Sequence, residues 1–391
     1  MMEQWPFLLM GGIMLIMFFG ISYTSQRLRM PSVLAYIVIG IILAGVITQD
    51  KELHIIAEIG IVLLFFILGL EFPLTRMMEI SKKVWPAGLL DVFLNLGLGF
   101  GIAYVFGLDL MSAFLIGAVV YASSSSITAK LLEEKKRLAN PEAEFILALL
   151  IFEDLVAPIL VSFLAGVYSG TEATTQFLLI LLIKIIGMTV GAIIIGYYGF
   201  KKLGNFVEKY LEKDFMPLLA VGIAFGYAGL ALTLGLSEVL GAFLAGVMLS
   251  ETGKAKDLEH LILPARDLTL PFFFFWFGTT ISFGEGISMF GLLLILVVWS
   301  IIGKLLVGFY GGRAYGLTPK VAIRAGLSLG QRGEFSAIIA ALAPPSLRIF
   351  SGIYILATAF IGVYLFNKAP EWAKAINLRY FKTNSQKSTS S

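Results

Sequence analysis

Two adjacent acids, Glu153 and Asp154, stand in the middle of an otherwise apolar stretch, ALLIFEDLVAPIL. Neighbouring residues on a helix point about 100° apart, so the two carboxylates need not share one ligand. Both would nevertheless be forced away from lipid and towards a partner or a water-filled path. A carboxylate placed in this way can exchange a proton for a small cation. The pair therefore predicts an ion-binding and proton-carrying site, with a static anchor for buried basic residues as the alternative.

Three further charges fall within apolar segments. Lys304, in WSIIGKLLVGFYGG, is the natural counter-charge for the acid pair, and a purely structural ion pair is the alternative. Lys184, in LLIKIIGM, is better explained by snorkelling or a local structural contact. For Asp91 a structural and a functional role both stay open.

Two apolar segments carry polar interruptions. GLSLGQRGEFSAII places Gln331, Arg332 and Glu334 at the middle of a span, which only an interrupted helix buried in a bundle would tolerate. Arg332 and Glu334 are two residues apart and would not face each other on a regular helix, but a break in the helix would let them pair. The second interruption, VVYASSSSITAKLL, supplies hydroxyl groups from Ser123, Ser124, Ser125, Ser126 and Thr128.

The composition excludes a soluble globular protein. Of 391 residues, 58% are hydrophobic and 14% are charged, and the mean hydropathy is +0.90. At about 20 residues per span the apolar segments predict an all-α polytopic membrane protein with about 13 transmembrane helices. The chain has no cysteine, and its two histidines, His54 and His260, lie far apart. Disulfides and thiolate catalysis are therefore excluded, and we expect no cofactor and no metal besides a transported cation.

Basic residues follow alternate spans, which predicts the orientation of the chain. By the positive-inside rule the amino terminus lies outside and the carboxyl terminus lies in the cytoplasm of a multi-pass protein of the cell membrane. Basic loop residues such as Arg137 and Arg324 are interpreted only as markers of this orientation. Residues 368–391 are polar and are predicted to form a short cytoplasmic tail without a fold of its own.

The two interrupted segments align with each other without gaps. AFLIGAVVYASSSSITA, from Ala113, matches AIRAGLSLGQRGEFSAI, from Ala322, so that Gly117 falls on Gly326. In the preceding spans Asp91 occupies much the position of Lys304. The two segments enter the membrane from opposite sides, and inverted repeats with paired interrupted helices are typical of alternating-access secondary transporters.

These residues resemble the monovalent cation:proton antiporter-2 family, which includes Kef-type potassium and NapA- and GerN-type sodium antiporters. The resemblance rests on PSVLAYIVIGIILAG, AEIGIVLLFFILGLE, the serine run, FEDLVAPIL, LSEVLGAFLAGVMLSE, GKLLVGFYGGRAYG and GQRGEFSAII. It implies a NhaA/NapA-like fold and a homodimer. The implied dimerisation scaffold comprises residues 1–83 and 169–286, and the implied six-helix transport core comprises residues 84–168 and 287–367.

The same resemblance implies roles for individual residues. Asp154 matches the ion-carrying aspartate, Glu153 the preceding position, and Lys304 the core lysine that pairs with it. The preceding position is Asp in NapA-type members and Gln in Kef-type members, so Glu153 fits neither and leaves Na⁺ against K⁺ selectivity open. Kef-type members also carry a nucleotide-binding regulatory domain, and here such regulation would need a separate cytoplasmic subunit.

The predicted function is exchange of Na⁺, K⁺ or Li⁺ for protons, with no enzymatic activity and no nucleic-acid partner. A sodium-coupled symporter of an organic anion on a related inverted-repeat fold is the alternative, with Arg332 binding the substrate carboxylate. Two protons per cation would make exchange voltage-driven, whereas a fixed Glu153–Lys304 pair would make it one for one, and both stoichiometries stay open.

Overall fold

The described part of the chain is helical. The computed structural model describes residues 6–27, 31–44, 51–71, 74–168, 174–200, 215–252, 254–281 and 289–377, and these ranges contain no β-strand. Within them, ten helices are long and apolar enough to cross a membrane, and two shorter apolar helices span Ser32–Leu43 and Glu238–Ser250. The predicted interrupted segment that contains Gln331, Arg332 and Glu334 is split into two half-helices. Each predicted apolar segment thus has a helical counterpart, which confirms an all-helical polytopic membrane protein.

The first eight helices are α1 (Phe7–Arg27), α2 (Ser32–Leu43), α3 (Lys51–Leu70), α4 (Leu74–Asp91), α5 (Leu98–Val105), α6 (Leu110–Tyr121), α7 (Ser125–Glu134) and α8 (Pro141–Val167). The described ranges further contain α9 (Thr175–Ile194), α10 (Met216–Thr233), α11 (Glu238–Ser250), α12 (Ala255–Thr279), α13 (Phe290–Leu306), α14 (Gly312–Tyr315), α15 (Pro319–Leu327), α16 (Glu334–Ala341) and α17 (Pro345–Asn377). Helix α17 continues past the boundary predicted at residue 367, and the rest of the predicted tail, residues 378–391, lies outside the described residues.

The helices form two compact units. One is built from the described residues within 1–79 and 157–284, and the other from those within 80–156 and 285–391. In the first unit α3 packs along both α11 and α12. Gly69 of α3 meets Gly246 of α11 so closely that a Cβ on either residue would overlap the backbone of the other helix. Small residues permit this close approach, which is how helices associate in lipid.

The second unit contains two π-helical turns at related places. Val92–Gly97 continues α4 into α5, and Val307–Gly311 continues α13 into α14. A π-turn adds a residue to the helical repeat and changes the direction in which later side chains point. Asp91 lies directly before the first π-turn, and Lys304 lies in the last turn of α13 before the second. Asp91 and Lys304, which the internal repeat aligns, therefore both lie at the end of an α-helix that continues into a π-turn.

The second π-turn packs directly on a half-helix. A Cβ added to Gly308 would overlap the backbone of Gly326 in α15, and a Cβ on Gly326 would in turn approach Leu305 Cα within 2.8 Å. Neither backbone can carry a side chain at this contact. The pair of glycines fixes α15 against α13, and α15 leads into the interrupted segment.

We expect Gly308→Ala to destabilise the protein by about 1–3 kcal/mol, because the new methyl group must push α15 away. The matched control is Gly101→Ala in α5, where a Cβ would meet nothing within 4 Å. That change should be neutral or slightly stabilising, since alanine favours helix over glycine. Apparent melting temperatures in detergent measure both effects, and equal melting temperatures for the two variants would contradict the packing argument.

Candidate functional site

Two helices are interrupted where they cross, as the sequence predicts. Helix α6 ends at Tyr121 and α7 begins at Ser125, while α15 ends at Leu327 and α16 begins at Glu334. The connecting segments contact each other through a hydrogen bond from Ser124 N to Gln331 O of 2.9 Å. A Cβ on Gly333 would lie 2.5 Å from Ser124 Oγ, so the close crossing needs glycine at that position. We call residues 122–124 and 328–333 the crossing.

Glu334 accepts hydrogen bonds at the amino-terminal end of α7. Its carboxylate accepts hydrogen bonds from Ser124 Oγ at 2.6 Å, from Ser125 Oγ at 3.3 Å and from Ser126 N at 3.1 Å. The first turn of a helix exposes unpaired N–H groups and carries partial positive charge, so a carboxylate there is stabilised. Glu334 is buried and is also the first residue of α16, so one side chain connects the two half-helices.

Arg332 donates hydrogen bonds at the carboxyl-terminal end of α6. Its Nε donates to Val120 O at 2.7 Å and one of its NH groups donates to Leu329 O at 3.3 Å. These carbonyls belong to the last turn of α6 and to the crossing, where partial negative charge gathers. Ser336 Oγ adds a hydrogen bond to Val119 O at 2.8 Å. The expectation that Arg332 and Glu334 pair with each other was wrong, because each compensates a different helix end.

A cluster of three charges lies buried in the same unit. Lys304 Nζ donates to Asp91 Oδ1 at 2.9 Å, to Asp91 Oδ2 at 2.8 Å and to Glu153 Oε1 at 3.0 Å. The side chains of Lys304, Asp91 and Glu153 are each 0% exposed. The Lys304 ammonium also lies 5.6 Å from the centre of the Tyr121 ring, within cation–π range. Asn95 Nδ2 donates to Asp91 Oδ1 at 2.6 Å.

Glu153 joins this cluster to the crossing. Its Oε2 accepts from Ser123 N at 2.5 Å, and Ser123 Oγ donates to Leu329 O at 3.1 Å. Asp154 is the next residue of α8 and is also buried, with 4% of its surface exposed. Gln331 Nε2 donates to Thr128 Oγ1 at 3.0 Å, which ties the crossing to α7. The structure thus brings the acid pair, the core lysine and the polar interruptions into one unit.

Lys184 lies in the other unit and belongs to a structural contact. Its Nζ donates to Leu234 O at 2.8 Å, at the carboxyl-terminal end of α10, where a cation is stabilised by the helix dipole. His54 pairs with Glu58 one turn along α3, at 3.1 Å on an exposed surface. Across the described ranges no three metal-ligating side chains converge on one point.

Sequence reasoning missed Asn95 and Tyr121. Asn95 lies four residues after Asp91, a spacing that places two side chains on one helix face and is a signal available from sequence. Tyr121 meets Lys304 only through the tertiary fold, so no local pattern would have revealed that contact.

A second buried ionic network was also missed, because its basic members look like ordinary loop charges. Glu142, at the start of α8, is wholly buried and accepts from Arg137 at 3.1 Å and from Arg324 of α15. Arg137 also donates to Ser328 Oγ at 2.9 Å and lies 4.3 Å from the Phe366 ring of α17. Burial lowers the pKa of the Arg137 guanidinium, and the Glu142 carboxylate opposes that shift. The interpretation of Arg137 and Arg324 as mere markers of orientation was therefore incomplete.

We expect Glu334→Gln to destabilise the protein by about 1–2 kcal/mol, since the amide keeps the shape but removes the charge from the α7 helix end. Glu371→Gln is the matched control, because Glu371 is 67% exposed beside Lys368 and such surface pairs contribute little. Thermal unfolding in detergent compares the two. If Glu371→Gln lowers the melting temperature as much as Glu334→Gln, the helix-end role of Glu334 is wrong.

The chain is similar in sequence and in fold to known ion exchangers. Residues 13–369 match the family model described as sodium/hydrogen exchanger, transmembrane. The chain is 50% identical over 379 residues to the ammonium/H⁺ antiporter subunit AmhT of Alkalihalophilus pseudofirmus, covering 97% of each chain. It is 31% identical to the K⁺/H⁺ antiporter subunit KhtU of Bacillus subtilis, covering 83% of this chain and 81% of that one.

The fold resembles that of the sodium proton antiporter MjNhaP1 from Methanocaldococcus jannaschii in its structure at pH 8. The TM-score is 0.68 at 20% identity, covering 94% of this chain and 98% of that one. With the family match running through nearly the whole chain, the protein belongs to the transmembrane sodium/hydrogen exchanger family.

Proposed function

We propose that this protein exchanges a monovalent cation for protons by alternating access, with cation and proton competing for Asp154. The observation that carries the proposal is the buried Glu153–Asp154 pair beside the crossing, with Lys304 as counter-charge. A carboxylate holds either a proton or a cation, so competition for one group couples the two fluxes. An empty site with uncompensated charge is costly to carry across a membrane, which suppresses leak.

The crossing offers the ligand type that small cations prefer. Hard cations bind oxygen, and hydroxyl groups, carbonyls and carboxylates are concentrated at Ser123, Ser124, Thr128 and the acid pair. The half-helix ends are already compensated by Arg332 and Glu334. The acid pair is therefore not needed to compensate the half-helix ends, which supports a role for Asp154 in binding the exchanged ion.

We assign the chain to the monovalent cation:proton antiporter-2 subfamily and expect NH₄⁺ and K⁺ among its substrates, alongside Na⁺ and Li⁺. The support is the 50% identity to an ammonium/H⁺ antiporter subunit and the 31% identity to a K⁺/H⁺ antiporter subunit. Both relatives are named as subunits, which supports a separate cytoplasmic regulatory partner. We further propose that the protein is a homodimer in the cell membrane. Residues 1–83 and 169–286 would form the dimerisation scaffold, and residues 84–168 and 287–367 the transport core. The amino terminus would lie outside and the carboxyl terminus in the cytoplasm.

The anion-symporter alternative is disfavoured by the position of Arg332. Its guanidinium is 0% exposed and donates to the carbonyls of Val120 and Leu329, so it serves the backbone rather than a substrate carboxylate. An enzymatic role has no support, since the relatives are transporters and the chain has no cysteine.

We expect Asp154→Asn to reduce exchange with every cation to the level of protein-free liposomes, because the amide can hold neither the cation charge nor the proton. The measurement is pH-dye fluorescence in proteoliposomes after additions of Na⁺, K⁺, Li⁺ or Rb⁺ at several pH values. Responses to NH₄⁺ are compared with those of protein-free liposomes, since NH₃ crosses membranes by itself.

The matched control is Thr358→Val, a buried substitution of similar volume whose hydroxyl bonds only to its own helix at Tyr354 O, 2.7 Å. This variant should transport like the wild type. Retained exchange in Asp154→Asn would refute the assignment of Asp154. If the wild type exchanges none of these cations for protons, the proposed function is wrong.

A further inference from the structure

Three carboxylate oxygens lie within hydrogen-bond distance of Lys304 Nζ, and two of them belong to Asp91. An ammonium has three N–H donors, whereas a neutral amine has two and a lone pair. With three acceptors around Nζ, a neutral amine would set its lone pair against a carboxylate oxygen. The arrangement therefore favours the protonated lysine beside ionised carboxylates.

Asp91 forms its hydrogen bonds with residues outside the crossing. Its Oδ1 accepts from Asn95, four residues later in the chain, and both side chains are wholly buried. Glu153 behaves differently, because its carboxylate also accepts from Ser123 N at the crossing. Lys304 thus bridges one carboxylate at the end of α4 and another that contacts the crossing.

We infer that Asp91 is a positioning residue that keeps Lys304 protonated through the whole cycle, so that exchange is one cation for one proton and carries no net charge. The inference rests on the proposed function and fixes the stoichiometry that the sequence leaves open. In each cycle one cation leaves the acid pair as one proton binds Asp154, and the reverse happens on the other side of the membrane. One positive charge moves in each direction.

Removing the Asp91 charge should change this balance. Lys304 would then depend on Glu153 alone, and a cation drawn to Glu153 and Asp154 would compete for that partner. A buried ammonium that loses its counter-charge is strongly disfavoured, so it would release its proton when the cation binds. Two protons would then leave for each cation, and the cycle would gain one net charge.

The test measures charge and protons together in proteoliposomes of the full chain. Solid-supported membrane recordings report the charge moved after a Na⁺ or K⁺ concentration jump, and a pH dye reports the protons moved. We expect the wild type to move protons with no sustained charge, and Asp91→Asn to move up to one charge per cation. A 100 mV potential should then change cation accumulation by Asp91→Asn about fifty-fold, and leave that by the wild type unchanged.

Two further variants separate positioning from folding. Asp91→Glu retains the carboxylate and should restore electroneutral exchange. Ser300→Ala removes another buried polar group of α13, a hydroxyl that donates to Val297 O of its own helix at 2.8 Å, and should behave as the wild type. If Asp91→Asn does not fold, the charge moved per proton by the wild type and by Asp91→Glu still tests the inference.

Sustained charge movement by the wild type would overturn the inference, as would electroneutral exchange by a folded Asp91→Asn. Absence of any exchange in the wild type would overturn the proposed function, and the inference with it. Electroneutral wild-type and Asp91→Glu exchange together with voltage-driven Asp91→Asn is the supporting result.

Discussion

The absence of water around most of this chain is the constraint on which the rest of the structure depends. In hydrocarbon every backbone N–H and C=O must be paired inside the protein, so a broken helix is tolerable only where other groups replace its missing bonds. The crossing breaks two helices at once. Glu334 and Arg332 resolve this with one charge at the start of α7 and one at the end of α6. The serine run contributes through Ser124, which caps α7 at Ile127 N and bonds Glu334.

The same constraint explains why the buried charges come in connected groups. Lys304 would be intolerable alone in the core, and it is stable because Asp91 and Glu153 surround it. Glu153 in turn reaches the crossing through Ser123. The ion site proposed at Asp154 therefore lies next to a connected group of buried charges, in which Glu153 contacts both Lys304 and the crossing.

The interruptions and the acid pair could be predicted from the sequence because each breaks a local rule: Glu153 and Arg332 should not stand inside apolar spans. The pairing of Asp91 with Lys304 could not, because the two are far apart in the chain and the π-turns alter the helical phase on which spacing arguments rest. For Arg137 and Arg324 the sequence predicted only part of the role. Basic loop residues indicate topology, but their charge does not reveal that both bind the same buried carboxylate, Glu142.

The network around Glu142 bears on which helices of the second unit can move separately. It joins the loop after α7 to α8, α15 and α17, so both interrupted helices are tied to the helix that carries Asp154. Moving one half-helix away from α8 would break a buried ion pair and leave a charge without its partner, which is strongly disfavoured. The half-helices and α8 are therefore expected to move together.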